Sequence, residues 1–259
     1  MKKILFLGYS KKETSLIEFL QKNYFVKSLN KKISNKDIKG FDIIICYGYR
    51  LIVDKKILNA ARIPIINLHI GFLPFNRGSH PNFWAFVENT ISGVTIHEVS
   101  ETIDTGKIIY QKLIDFKILE NKKKLTFADT YNILIKEVEK LFIIHHKKII
   151  EGRFVTYKQI GKGTFHKSSE LPSLLKSWDQ NIYKTILKFD SQKNNLLKKH
   201  LEILDKIENT RMNNNVNWMN ILRTSIKASS SDTLKILMKI NSDDNKISKL
   251  FNEFQNEKK

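Results

Sequence analysis

Three polar residues, Asn67, His69 and Asp104, are of types that could do chemistry together. Asn67 and His69 end an apolar run, Ile65-Ile-Asn67-Leu-His69. They stand two positions apart, so in a strand both side chains leave the same face. A loop punctuated by Gly and Pro follows at once, from Gly71 through Leu73-Pro74 and Arg77-Gly78 to Pro81. Strand-end polar groups beside a loop are where open α/β sheets keep their active sites. Asp104 lies in a turn-like segment, Glu101-Thr-Ile-Asp104-Thr-Gly106, between two strand patterns. A neutral amide, an imidazole and a carboxylate suit attack on a carbonyl. The amide can donate to a developing oxyanion, the imidazole can move protons or help hold the oxyanion, and the carboxylate can orient and charge the imidazole. Neither Ser nor Cys stands beside them at an elbow, and Ser79 lies ten residues beyond His69. Direct transfer between two bound substrates is therefore favoured over a covalent acyl-enzyme.

The elements that must position these groups follow from periodicity. Lys3–Gly8 reads as a first strand, Ser10-Lys-Lys-Glu13 as a capping box, and Leu16, Ile17 and Leu20 as a helical stripe. Phe25–Leu29 and Phe41–Tyr47 read as strands, Asp54 as the cap of a helix through Ala61, and Ile63–His69 as the next strand. Strands alternating with helices predict βαβ units in a parallel sheet. Gly8-Tyr-Ser-Lys-Lys lacks the dinucleotide fingerprint, so the fold need not imply NAD. Pro81 opens a short helix, Gly93–Val99 and Lys107–Phe116 are strands, and Thr126-x-x-Asp129 opens a long helix. Gly161-Lys162-Gly163-Thr164 reads as a turn. Residues 181–259 read as a helical C-terminal extension, with breaks at Met212–Asn217 and Ala228–Asp232, after a catalytic domain over 1–180.

The chain has 259 residues, 41% hydrophobic and 27% charged, which predicts a packed core. Nothing reads as a signal peptide or as a bilayer-crossing segment, and with the lone Cys46 this predicts a cytoplasmic protein. The net charge of +19 comes from 39 Lys and six Arg spread evenly along the chain. It reads as solvated surface, which argues against a nucleic-acid partner. His69, His80 and His97 match no compact zinc motif, and no metal is expected. His97 on its strand reads as structural.

Asn67-Leu-His69-Ile-Gly-Phe-Leu73-Pro74-x-x-Arg77-Gly78, then Gly93-Val-Thr-Ile-His97, then Ile103-Asp104-Thr-Gly106, resembles the signature of the folate-dependent formyltransferases. The resemblance covers roughly residues 1–180. It implies a Rossmann-like, mostly parallel sheet with helices on both faces, the formyltransferase fold. It implies Asn67, His69 and Asp104 as the catalytic group and N10-formyltetrahydrofolate as formyl donor. Tyr47, Gly48, Tyr49, Arg50, Leu51, Ile52, Leu73, Thr102 and Ile103 would bind the folate. Pro74, Arg77, Gly78, Ser79, His80, Asn82 and Trp84 would bind the acceptor, with Arg77 alternatively ordering its loop. Pro81-Asn82-Phe83-Trp84 most resembles the branch that formylates nucleotide-linked amino sugars. The expected partner is thus a nucleotide-linked amino-dideoxy sugar, dTDP-linked, of the kind used for lipopolysaccharide or capsule biosynthesis. The helical tail would be a dimerisation arm giving a homodimer, or a partner-docking arm. The alternatives are methionyl-tRNA as acceptor, or a non-catalytic binding or assembly protein on this scaffold.

Overall fold

The structure is a computed structural model that describes residues 1–116, 124–226 and 230–256, without the side chains of 213, 218–226, 230–237 and 254–256. The chain divides into two compact units, Met1–Leu187 and Lys188–Lys259.

The first unit is built on apolar runs too continuous for a half-exposed strand. Strands β1 (Lys3–Gly8), β2 (Phe25–Leu29), β3 (Ile43–Tyr47) and β4 (Ile65–His69) are joined through helices α1 (Leu16–Gln21) and α2 (Lys55–Ala60). After a two-residue strand, β5 (Arg77–Gly78), come α3 (Pro81–Val87), β6 (Gly93–Glu98), β7 (Ile108–Leu113) and the long α4 (Phe127–Ile150). The six-stranded sheet runs β2-β1-β3-β4-β6-β7. Strands β1 to β4 are mutually parallel, as the alternation predicts. Strands β6 and β7 are antiparallel, β6 against β4 and β7 against β6. The short connection between β6 and β7 cannot make the crossover that a parallel pair needs.

Both faces of the sheet are covered. Ile4, Phe6, Ile43, Ile45, Tyr47, Ile66 and Leu68 pack under α1 and α4. Leu5, Leu7, Ile44, Cys46 and Ile65 pack with Ile57 of α2 on the other face. The predicted box at Thr126 and Asp129 is present in full at the start of α4. Ser10 and Glu13 do bond to one another, but they close a turn, and α1 starts only at Leu16. Asp54 precedes α2 without a side-chain cap, because its carboxylate is drawn 3.1 Å from Lys32 Nζ.

Strand β8 (Phe165–His166) pairs parallel with β5 beside the main sheet, and a 3-10 turn follows at Ser168–Glu170. Helix α5 runs from Ile182 to Ile226. The predicted break at Met212–Asn217 is therefore absent. The amides of Asn214 and Asn217 reach Asp244 (2.8 Å) and Asp243 (3.2 Å), so they do not compete with the helix backbone for hydrogen bonds. Of the second predicted break, residues 227–229 lie outside the described residues, and α6 covers Ser230–Asn256. In the second unit Ile203, Ile207 and Ile240 are buried, and so are Asn217 and Asp243, which bond to one another. No helix among the described residues is long and apolar enough to cross a membrane.

Candidate active site at the sheet edge

Strand β4 delivers Asn67 and His69 to the carboxyl edge of the parallel strands. Asn67 sits opposite Cys46 of β3 and His97 of β6, so these three side chains share the face that packs on α2. Asp104 arrives from the β6–β7 connection in the left-handed region, at φ 53°. The turn after it needs Gly106, since a Cβ there would lie 1.6 Å from the Glu98 carbonyl oxygen.

Asp104 is the hub. Its Oδ2 accepts from Gly78 N (2.9 Å) and lies 3.6 Å from His69 Nδ1. Its Oδ1 accepts from Asn67 Nδ2 (3.2 Å) and lies 3.4 Å from His97 Nε2. Burial by itself would raise this carboxyl, but the His69 and His97 rings and the Gly78 N–H outweigh it and hold Asp104 well below the usual carboxylate range. His69 is only 6% exposed. Burial pushes its imidazole down from its ordinary value, the Asp104 charge opposes this, His97 adds to it, and a hydrogen bond to the Asn76 backbone also opposes it. Asp104 is thus anionic at neutral pH, and at His69 burial works against the imidazolium that the sequence reading expects while the Asp104 charge works for it. Among the described residues Nε2 of His69 is buried with no partner at full hydrogen-bond geometry, the Asn76 backbone being the group that approaches the ring. Gly71 leaves it room, because a Cβ at that position would stand 2.6 Å away. With Nδ1 turned to Asp104, Nε2 offers a lone pair. The Asn67 amide donates to Asp104 Oδ1 and lies 3.2 Å from His97 Nε2.

The loop after β4 is clamped from several sides. Thr95 Oγ1 donates to Gly71 O (2.7 Å) and accepts from Leu73 N, while Gln111 Nε2 donates to Leu73 O. Further along, Arg77 N donates to Thr164 O and Ser79 N to His166 O. The Gly161–Thr164 segment is thus more than a turn, since it also supplies Thr164 Oγ1 to Asn76 N (2.8 Å). Both Nε and Nη2 of Arg77 donate to Gln159 Oε1 (3.0 and 2.7 Å). Gln159 Nε2 in turn donates to the carbonyls of Asp104 and Gly106, each at 2.8 Å. These bonds tie the Arg77 guanidinium, through Gln159, to the turn that carries Asp104.

A cavity of about 780 Å³ opens over Asn67, His69, His97 and Asp104. Of the predicted folate-site residues, Tyr47 through Ile52 and Ile103 line it. Of the predicted acceptor-site residues, Gly78, Ser79 and His80 do. The others stand apart from it. Leu73 is buried in the core, and Pro74 and Thr102 are not in the lining. Asn82 Nδ2 is tied to the Phe127 carbonyl (2.9 Å), joining α3 to α4. Trp84 is buried and stacked on His166, with ring centroids 3.9 Å apart. His166 also lies 3.1 Å from Glu88 and 3.3 Å from Glu170. Cys46 reaches the lining, but burial pushes its thiol up to about 12, so it offers no thiolate nucleophile.

Sequence reasoning missed His97, the lining residues Tyr9 and Tyr131, whose hydroxyls lie 2.7 Å apart, and the bridging Gln159. His97 carried one usable signal. It shares the Gly93–Val99 strand with the pattern leading to Asp104, and an antiparallel pairing with β4 sets it opposite Asn67.

A mixed α/β sheet that brings an amide, two imidazoles and a carboxylate to its edge beside a deep cavity defines a group-transfer scaffold. The chain belongs to the formyl transferase family, whose model matches residues 10–138. It is similar to the formyltransferase PseJ from Anoxybacillus kamchatkensis, with 34% identity and a TM-score of 0.64, covering 71% of this chain and 97% of that one. The crystal structure of PseJ is a complex with UDP-4,6-dideoxy-4-formamido-L-AltNAc and tetrahydrofolate. A methionyl-tRNA formyltransferase from Thermodesulfovibrio yellowstonii is 33% identical over 135 residues, 52% of this chain. A dTDP-4-amino-4,6-dideoxyglucose formyltransferase from Mycobacterium bovis is 22% identical over 137 residues, 53% of this chain. The matched segments span 38% and 56% of those two proteins' own lengths.

Proposed function

We propose that the chain transfers a formyl group from N10-formyltetrahydrofolate to the amine of a nucleotide-linked amino-dideoxy sugar, in a cytoplasmic step of surface-polysaccharide synthesis. The observation that carries this reading is His69, a buried imidazole of a cavity-lining residue, its Nδ1 turned to the Asp104 carboxylate and its protonation disfavoured by burial. That is the arrangement of a base poised for an amine proton. The amine nitrogen bonds to the formyl carbon, and His69 Nε2 takes a proton from it. The imidazolium so formed is stabilised by Asp104. Its Nε2–H then faces the oxyanion and passes the proton to the departing folate nitrogen as the carbon–nitrogen bond to the donor breaks. No covalent enzyme intermediate is needed, in keeping with the inert Cys46.

Tyr47–Ile52 and Ile103 form the folate side of this cavity and Gly78–His80 the acceptor side. For the nucleotide, sequence expects dTDP, and the identity to the relatives supports UDP ahead of it. The relative at 34% identity was solved with a UDP-linked formamido sugar, whereas the dTDP-sugar enzyme is only 22% identical. The test is mass spectrometry of UDP- and dTDP-linked amino-dideoxy sugars incubated with N10-formyltetrahydrofolate and the full chain. A gain of one formyl group on the UDP-linked amine is expected. Transfer to none of these amines would overturn the reading.

A further inference from the structure

The small parallel pair β5–β8 ends at the cavity. Arg77 is in register with Phe165 and Gly78 with His166. Ser79 N still donates to His166 O (2.9 Å), so the two segments stay side by side one residue past the paired strands. Gly78 permits this approach, since a Cβ there would stand 2.3 Å from that same carbonyl oxygen. Ser79 and His80 therefore emerge beside Lys167 and Ser168, and all four line the cavity. Lys167 and Ser168 are absent from the acceptor residues expected from sequence.

The rim they form is rich in donors. Ser79 Oγ, the His80 ring nitrogens, Lys167 Nζ and Ser168 Oγ make no hydrogen bond or ion pair with the described residues. The neighbouring carboxylates are engaged elsewhere. Glu88 and Glu170 lie 3.1 and 3.3 Å from the His166 ring, and Glu101, also in the lining, lies 3.0 Å from Lys55 Nζ. His80 is held in the left-handed region, at φ 56° and ψ 44°, with its ring centroid 5.3 Å from that of Trp178. A non-glycine residue kept there by its surroundings is a device of ligand sites. An ammonium, an imidazole and two hydroxyls gathered on one rim are a donor set for phosphate oxygens.

The rim also stands at a suitable distance from the reacting groups. Gly78 N donates to Asp104 Oδ2 (2.9 Å), the carboxylate oxygen that faces His69. His80, two residues on, is at most about 7 Å further along the chain, at roughly 3.3–3.6 Å per residue. In a nucleotide-linked amino sugar the amine and the diphosphate are separated by one sugar ring, which spans such a gap. We propose that this rim binds the diphosphate of the acceptor, with Lys167 as its charged contact. This rests on the reading of a nucleotide-linked acceptor given above, and it extends the acceptor side of the cavity from β5 to the residues that follow β8.

The test is calorimetric titration of the full chain with UDP and with dTDP, each in the presence of tetrahydrofolate, which has no formyl group to transfer. Lys167→Ala should weaken binding of the nucleoside diphosphate roughly ten- to a hundredfold, the scale of a lost hydrogen bond to a charged group. The Kd for tetrahydrofolate should stay within about twofold, and Lys167→Arg, which keeps the charge, should recover most of the affinity. Lys22→Ala removes the same charge from the end of α1 and should leave binding unchanged, which separates a local contact from the overall charge of +19. Unchanged diphosphate binding in Lys167→Ala, or an equal loss in Lys22→Ala, would overturn the proposal. A loss confined to tetrahydrofolate would also overturn it, and would give the rim to the glutamate carboxylates of the folate instead. So would a native chain that binds neither diphosphate. Diphosphate binding that depends on Lys167 in a chain that formylates no amino sugar counts against the proposed function alone, since the titration is read without turnover.

Discussion

At the scale of single residues, the site is a competition between burial and charge settled by neighbours. His69 loses its hydration, which disfavours its protonation, while Asp104 keeps its charge because donors and rings surround it. A base of this kind works only unprotonated, so the proposed transfer has an acid limb lying below the ordinary imidazole value. Because Asp104 opposes the downward shift of His69, Asp104→Asn should move that limb to still lower pH and also slow turnover. A pH–rate profile of both proteins checks the sign, and a limb that moves upward would contradict it. That Asn67, His69 and Asp104 meet was legible from sequence because polar residues at a strand end and in a Gly-closed turn are costly to place without partners. The charge state of His69 was not legible, since it depends on how deeply β4 is covered.

At the scale of elements, the loop through Arg77 is set by the strands and turns around it. Gln159 links the Arg77 guanidinium to the carbonyls of Asp104 and Gly106, so one side chain ties two loops of the site together. Gln159→Ala should cost about 1–3 kcal/mol of stability, the usual result of leaving partly buried polar groups unpaired. It should also lower turnover, and urea denaturation with steady-state rates reads both effects. Gly106→Ala should be worse, because its Cβ meets the Glu98 backbone directly. Strands β1 to β4 and helices α3 and α4 were legible from their periods and from Pro81 and the Thr126 box. The antiparallel pairing of β6 and β7 was not, because alternation of strands says nothing of direction when the connection between them is short. Arg77 and Trp84 were singled out as ligand contacts because both types often are, while their contacts with Gln159 and His166, far off in sequence, were not legible.

At the scale of the molecule, two units carry separate cores. The first buries both faces of its sheet, and in the second Ile203, Ile207 and Ile240 are buried and Asn217 bonds Asp243. Ile207→Asp places an unpaired charge in the second core and should disrupt its helices while amides of β1, β3 and β4 keep their hydrogen-exchange protection. Exchange lost equally in both units would contradict separate cores. The continuity of α5 through Met212–Asn217 escaped the sequence because asparagines favour turns until a partner on another helix takes their amides. The central claim, that His69 moves the proton in a formyl transfer to an amine, has one direct measurement. It is the rate at which the full chain and its His69→Ala variant place a formyl group on a UDP-linked amino-dideoxy sugar from N10-formyltetrahydrofolate. The account predicts transfer by the native chain and a loss of roughly 10²- to 10⁴-fold in the variant, the usual worth of a positioned general base. A folded His69→Ala protein that formylates the sugar at the native rate would contradict it.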